Sequence, residues 1–197
     1  ALGSKFKRKH TGTFGNIGVL SFNGNKIVTT GTGGAILTNN KKLALQAKHL
    51  IANAKLKGYG YIHDVLGYNY RMANINAAIG LSQIKRINKL IKNKRKIFYQ
   101  YRKIFKKLNF FDLISEPKNC KSNYWLQGII LKKSSILKRN SILNQLSNEG
   151  IQARPVWKLM HKIKHLKKFP RMNLKNSLEI EKKIINLPSS VNLTYEN

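Results

Sequence analysis

Residues 15–34 read GNIGVLSFNGNKIVTTGTGG. The opening part, Gly15 to Phe22, is short, apolar and bounded by glycine, the pattern of a strand buried in a sheet. Gly34 to Thr38 reads as a second such strand. The stretch between them is too polar, and too rich in glycine at its ends, for a helix, and is expected to form a loop, a short strand and a loop. This puts Lys26 near the end of a buried strand among small residues. Partial desolvation there would lower its amine pKa, as a Schiff-base lysine requires. Ser21 and the neighbouring glycines can present a hydroxyl and backbone N–H groups to a phosphate. Composition alone favours a plainer reading, in which Lys26 is one more surface lysine.

Working outward, Asn39-Asn40 can cap a helix from about Lys41 to Ala54. Residues 55–71 form an irregular stretch in which Tyr59, Tyr61, Tyr68 and Tyr70 accompany His63, Asp64, Asn69 and Arg71, a density of hydrogen-bonding groups typical of loops that line sites. His63-Asp64 is read as loop structure, because adjacent residues rarely face one another. A long helix is expected from near Asn74 to about Leu108, apolar at first and then strongly basic, leaving the core for a second lobe. Residues 112–122 read as a linker, Trp125 to Leu131 as a strand, Ser141 to Asn148 as a helix stopped by Gly150, and residues 151–156 as extended. Leu174 to Ile185 reads as the last helix. The fold class is α/β, with residues 1–100 as part of one domain plus a connecting helix and residues 101–197 as a smaller α+β domain.

The 197 residues carry 38 Lys plus Arg against 7 Asp plus Glu, a formal charge of +31. Such a balance suggests a nucleic-acid-binding module. The lysines, however, are scattered rather than gathered into a basic arm, and Asn and Ile, which share A/T-rich codons with Lys, are abundant too. Base composition therefore accounts for the charge better than a nucleic-acid or membrane partner does. The lone Cys120 excludes an internal disulfide framework, the five histidines have no metal spacing, and no apolar run approaches the roughly 18 residues of a membrane span. A cytoplasmic location is expected.

Several spaced motifs occur in order: Gly12-Thr13-Phe14-Gly15, Ser21-Phe22-Asn23-Gly24-Asn25-Lys26, Thr29-Thr30-Gly31-Thr32-Gly33-Gly34, Gly67-Tyr68-Asn69-Tyr70-Arg71-Met72, Ala77-Ala78-Ile79-Gly80-Leu81, Arg154-Pro155-Val156-Trp157 and Asn186-Leu187-Pro188-Ser189-Ser190. Together they closely resemble the sugar-nucleotide aminotransferases of the DegT/StrS family, pyridoxal 5'-phosphate (PLP) enzymes of the aspartate-aminotransferase fold type. The resemblance implies that Lys26 holds PLP and moves protons during transamination, that Ser21 binds its phosphate, and that Asn69 reaches the PLP phosphate of a neighbouring subunit in a homodimer. Tyr70 and Arg71 would support that loop or touch substrate. Arg154, Trp157 and His161 fall in the segment that approaches the sugar nucleotide, where a cation and an aromatic suit a pyrophosphate and a base. Trp157 is equally readable as a core residue.

The resemblance also implies an amino-acid donor, glutamate, and a 4-keto-6-deoxy sugar nucleotide. The stretches FNGNK, YIHD and QARPVW look most like the branch acting on UDP-4-keto-6-deoxy-N-acetylhexosamines. The family's aspartate for the pyridinium nitrogen belongs to a motif expected just before Ala1, so the chain reads as the C-terminal half of a longer protein. Alone it is expected to bind PLP weakly and not to turn over. Dehydrating relatives carry histidine where this chain has Lys26. A non-catalytic remnant and a basic nucleic-acid-binding module are the competing readings.

Overall fold

The computed structural model describes residues 1–132 and 136–193. In chain order the elements are β1 (Lys5–Phe6), β2 (Lys9–His10), β3 (Gly18–Ser21), β4 (Gly34–Leu37), α1 (Lys41–Leu50), α2 (Asn74–Ile84), α3 (Ile87–Phe105), β5 (Phe111–Leu113), β6 (Cys120–Lys121), β7 (Gln127–Leu131), α4 (Ile136–Asn148), β8 (Arg154–Pro155), α5 (Lys175–Glu181) and β9 (Ile184–Leu187). The fold is mixed α/β. It divides into two compact units, Ala1–Lys92 with Pro117–Asn123 and Asn93–Glu116 with Tyr124–Asn197, so the division falls within α3.

In the first unit β3 and β4 pair antiparallel, Leu20 opposite Ala35 and Ser21 opposite Gly34. A side chain at Gly34 would meet the Leu20 carbonyl oxygen at 2.3 Å, so only glycine fits this register. Leu20, Phe22, Ile27 and Val28 form the buried core, packed by Leu37, Met72 and the first turns of α3 through Ile87, Leu90 and Ile91. The expectation of fully buried strands is corrected, since Val19 is 73% exposed and only Leu20 of β3 is buried. A sheet of two strands covered on one face hides only every other residue.

Four helices also differ from the sequence reading, among them α4, which begins at Ile136 rather than at Ser141. α1 is capped as expected by Asn40, whose Oδ1 accepts from the Leu43 N–H at 3.2 Å. It stops at Leu50, however, and Asn53 and Ala54 take left-handed backbone angles. The single helix expected from Asn74 to Leu108 is two, broken at Lys85 and Arg86, where the Arg86 N–H turns back to the Gln83 carbonyl. Neither Gly nor Pro marks this break in the sequence. The last helix, expected to reach Ile185, ends at Glu181, and β9 follows.

The second unit is built on an antiparallel sheet in the order β5-β7-β9-β8. Its core is Ile129, Leu131, Ala153, Ile185 and Leu187, packed by Tyr101 and Phe105 of α3 and by Ile142, Leu143 and Leu146 of α4. Along β9, Ile185 and Leu187 are buried while Ile184 and Asn186 are less so, a two-residue period that identifies a strand. The expected linker at 112–122 contains part of β5, which pairs with β7, and all of β6, which pairs with β1. Among the described residues no helix is long and apolar enough to cross a membrane.

Candidate active site

The loop that carries Lys26 is closed at its neck by main-chain bonds. The Phe22 N–H donates to the Gly33 oxygen and the Thr30 N–H to the Phe22 oxygen, each at 2.9 Å. The Thr29 hydroxyl reaches the same Phe22 oxygen at 3.0 Å. Beyond the neck the chain turns, with the Lys26 N–H bonded to the Asn23 carbonyl at 3.0 Å and Asn23 Oδ1 accepting from the Gly24 N–H at 2.8 Å. The short strand expected in this stretch is absent: residues 22–33 are turns and bends. Ile27 and Val28 point into the core instead, and this anchors the loop and leaves Lys26 half-buried beside them. Lys26 therefore belongs to a tethered turn rather than to a strand end. Ser21, at the end of β3, is exposed.

The neck rests on α2. Gln83 Oε1 accepts from the Thr29 N–H at 3.0 Å, and Asn76 Nδ2 donates to the Thr30 oxygen. Between them, Gly80 is buried where a Cβ would stand 2.6 Å from Thr30 Cγ2. The sequence reading named none of these as site residues. The available signal was Asn76, Gly80 and Gln83 at four- and three-residue spacing, the period of one helix face.

Asn69 is held by the end of α1. The Tyr68 N–H donates to the Leu50 oxygen at 2.7 Å, the Tyr70 N–H to Ile51 at 2.9 Å, and the Asn53 N–H returns to the Tyr68 oxygen at 3.0 Å. The Tyr68 and Tyr70 rings stack at 5.2 Å, and alternation along the extended chain sends exposed Asn69 the other way. Asp64, the only carboxylate side chain of this unit, bonds His49 Nε2 at 2.6 Å, and His63 Nδ1 contacts the Asn53 oxygen. The His49 hydrogen bond holds the Asp64 carboxyl below its ordinary value.

A hollow of about 850 Å³ in this unit is lined by Tyr70, Arg71, Met72 and Asn76 with residues of β3, β4 and α1, and its lining includes none of Ser21, Lys26 and Asn69. In the second unit, Trp157 is 62% exposed and stacks on Trp125 at 6.0 Å with 25° between the planes. Arg154 lies on β8 with its Nη1 donating to the Ala153 oxygen at 3.1 Å. His161 faces a different, shallow hollow with Arg171 and Met172. Trp157 is thus brought against Trp125, a residue the sequence reading did not mark, and His161 does not share the surroundings of that pair.

The chain belongs to the DegT/DnrJ/EryC1/StrS aminotransferase family, which it matches over residues 1–197. It is 37% identical to the GDP-perosamine synthase of Escherichia coli O157:H7 over 197 residues, covering 100% of this chain and 52% of that one. It is 30% identical to the UDP-4-amino-4,6-dideoxy-N-acetyl-beta-L-altrosamine transaminase of Helicobacter pylori, covering 100% of this chain and 53% of the relative. The fold superposes on Helicobacter pylori PseC, an aminotransferase involved in the biosynthesis of pseudoaminic acid, with a TM-score of 0.92 and 29% identity over 98% of this chain and 53% of that one. The chain spans about half the length of the curated relatives it matches.

Proposed function

We propose that the full protein containing this chain is a PLP-dependent aminotransferase that moves an amino group from glutamate to the 4-keto carbon of a nucleotide-linked 6-deoxy sugar, a bacterial surface-glycan precursor. The observation that carries this reading is Lys26 on a turn fixed at its neck, with the Ser21 hydroxyl at the strand end before it. The donor set fits the aldehyde and phosphate ends of PLP: one amine, one hydroxyl, and Asn69 as the phosphate ligand of a partner subunit in a homodimer with shared sites. PLP supplies the electron sink for the bonds broken and made at the substrate carbon. Lys26 would hold the cofactor, and its free amine would carry the proton at the substrate carbon.

Asp64, engaged with His49, does not serve the pyridinium nitrogen. Arg154 and Trp157 would meet the pyrophosphate and base of the substrate, His161 its approach, and Tyr70 and Arg71 the shared loop. The protein works in the cytoplasm, where nucleotide sugars are made.

For the sugar we favour a UDP-4-keto-6-deoxy-N-acetylhexosamine, on the stretches FNGNK, YIHD and QARPVW. The GDP-linked alternative comes with the higher identity among the relatives described above. Borohydride reduction of the protein expressed from the full reading frame that contains this chain should leave a phosphopyridoxyl group on Lys26, and Lys26→Ala should leave none. An unmodified Lys26 in the PLP-supplied wild type sinks the reading. Amination of UDP- against GDP-4-keto-6-deoxy sugars then decides the substrate.

A further inference from the structure

We propose that one face of α2, formed by Asn76, Gly80 and Gln83, is the clamp that sets where Lys26 presents its amine, with Asn76 and Gln83 as positioning residues. The inference rests on the reading of Lys26 as the cofactor lysine and extends it to residues that do not touch the cofactor. The loop from Phe22 to Gly33 has no regular structure of its own, yet its neck must be rigid for the tip to be placed. Main-chain bonds at Phe22 close the neck upon itself, and α2 fixes it in space. Gln83 takes the Thr29 N–H, Asn76 gives to the Thr30 oxygen, and Gly80 lets Thr30, 1% exposed, settle onto the helix. These contacts join positions 54 and 46 residues apart in the chain. They come from side chains seven residues apart, two turns along one helix face with Gly80 between them, so the loop is tied to α2 at two points.

The two amides act in opposite senses. A main-chain N–H can only donate, so Gln83 is used as an acceptor; a carbonyl can only accept, so Asn76 is used as a donor. Gln83→Glu keeps the acceptor and should be tolerated. Asn76→Asp replaces the donor by an oxygen facing the Thr30 carbonyl oxygen and should not be. Both changes conserve shape and add the same charge, so a general loss of stability or a field effect predicts equal outcomes, whereas the clamp predicts unequal ones. Gly80→Ala gives an independent test. It raises the helix propensity of α2, yet the added methyl group must displace Thr30.

The test uses the protein from the full reading frame, with two readouts. Amide hydrogen exchange is followed across residues 22–33 and, as a control, across 127–131. The rate of borohydride incorporation at Lys26 and the pH midpoint of the absorbance of the lysine-bound cofactor report the amine itself. Gln83→Ala, Asn76→Asp and Gly80→Ala should speed exchange in 22–33 by about five- to tenfold, the size of one lost hydrogen bond, leave 127–131 unchanged and move the pH midpoint. Gln83→Glu should match the wild type. Unchanged exchange in 22–33 in all three variants, or equal effects of Gln83→Glu and Asn76→Asp, overturns the clamp. Wild-type protein without a Lys26 adduct but with the expected exchange pattern would end the cofactor reading and leave the clamp standing.

Discussion

The ammonium of Lys94 donates to both the main-chain oxygen and the hydroxyl of Ser189, 95 residues further along the chain. The same ammonium reaches the Trp125 oxygen at 3.2 Å, and the Ser189 hydroxyl donates to that oxygen at 3.0 Å. Lys94 thereby joins α3 to the residues just before β7 and just after β9. It is buried, and burial lowers its pKa. Among so many lysines this one is structural, and nothing in its sequence surroundings set it apart.

Lys94→Met keeps the length of the side chain but removes the lysine donor of the Ser189 carbonyl and one of the two donors of the Trp125 carbonyl. It should lower stability by about 2 kcal/mol, read as a lower urea midpoint at unchanged slope. A folded pKa below the unfolded value means that the unfolded chain binds more protons. The wild type should therefore gain stability as pH rises from the lowered folded value towards about 10.4, and Lys94→Met should not. Equal midpoints for the two proteins would show that the network contributes nothing.

Glu181 gives the opposite pH dependence. Burial pushes its carboxyl up, but the hydrogen bonds from Lys162 and the Leu159 N–H, with the charges of Lys162 and Arg139, outweigh it and hold the pKa below the ordinary value. A depressed folded pKa contributes stability above the unfolded value of about 4.3 that is lost as pH falls through the folded one. Glu181→Gln should therefore destabilise at neutral pH and approach the wild type in acid. Denaturation curves from pH 7 down to about 3 check this, and a difference that stays constant with pH would refute the assignment.

Gly67 and Gly150 are required for different reasons. A Cβ at Gly67 would lie 2.2 Å from the Asn53 carbonyl carbon and 2.3 Å from the Ala54 nitrogen, both main-chain atoms that cannot step aside. Gly150 has open space but a φ of +73°. Gly67→Ala should cost about 1–3 kcal/mol and speed exchange at Tyr68 and Tyr70 by loosening their bonds to Leu50 and Ile51. Gly150→Ala should cost about 1 kcal/mol and leave that loop alone. Intact exchange at 68–70 in Gly67→Ala would show that the α1 end does not hold Asn69.

The sequence made the strands on either side of Lys26, the Asn40 cap and the Gly150 stop legible, because each rests on a local rule of pattern or backbone angle. What it hid were outcomes of tertiary contact. Ile27 and Val28 look like a strand and are buried as a loop, because core burial and the ties of Thr29 and Thr30 to α2 override strand propensity. Ile184 and Ile185 continue the apolar period of α5, yet pairing with β7 and β8 makes them a strand. At the candidate site, Lys26, Ser21 and Asn69 are proposed from the order of motifs. Asn76, Gln83 and Trp125 meet partners distant in sequence, and the helix-face spacing of Asn76 and Gln83 does not by itself name those partners.

Trp157 is the remaining residue whose two readings can be separated by experiment. Its ring stacks on Trp125, which suits packing, yet it keeps 62% exposure, far more than a core tryptophan needs. An indole braced from one side and open elsewhere is suited to receive a nucleotide base. Under the proposed function, Trp157→Ala should raise KM for the nucleotide sugar about fivefold or more, the lower end of what stacking one base on an aromatic ring is worth. It should leave kcat and borohydride trapping at Lys26 near the wild type, because neither depends on the base. Trp157→Phe should recover most of the loss. A lower melting temperature with KM unchanged would instead assign Trp157 to bracing Trp125, and the base would have to be held elsewhere.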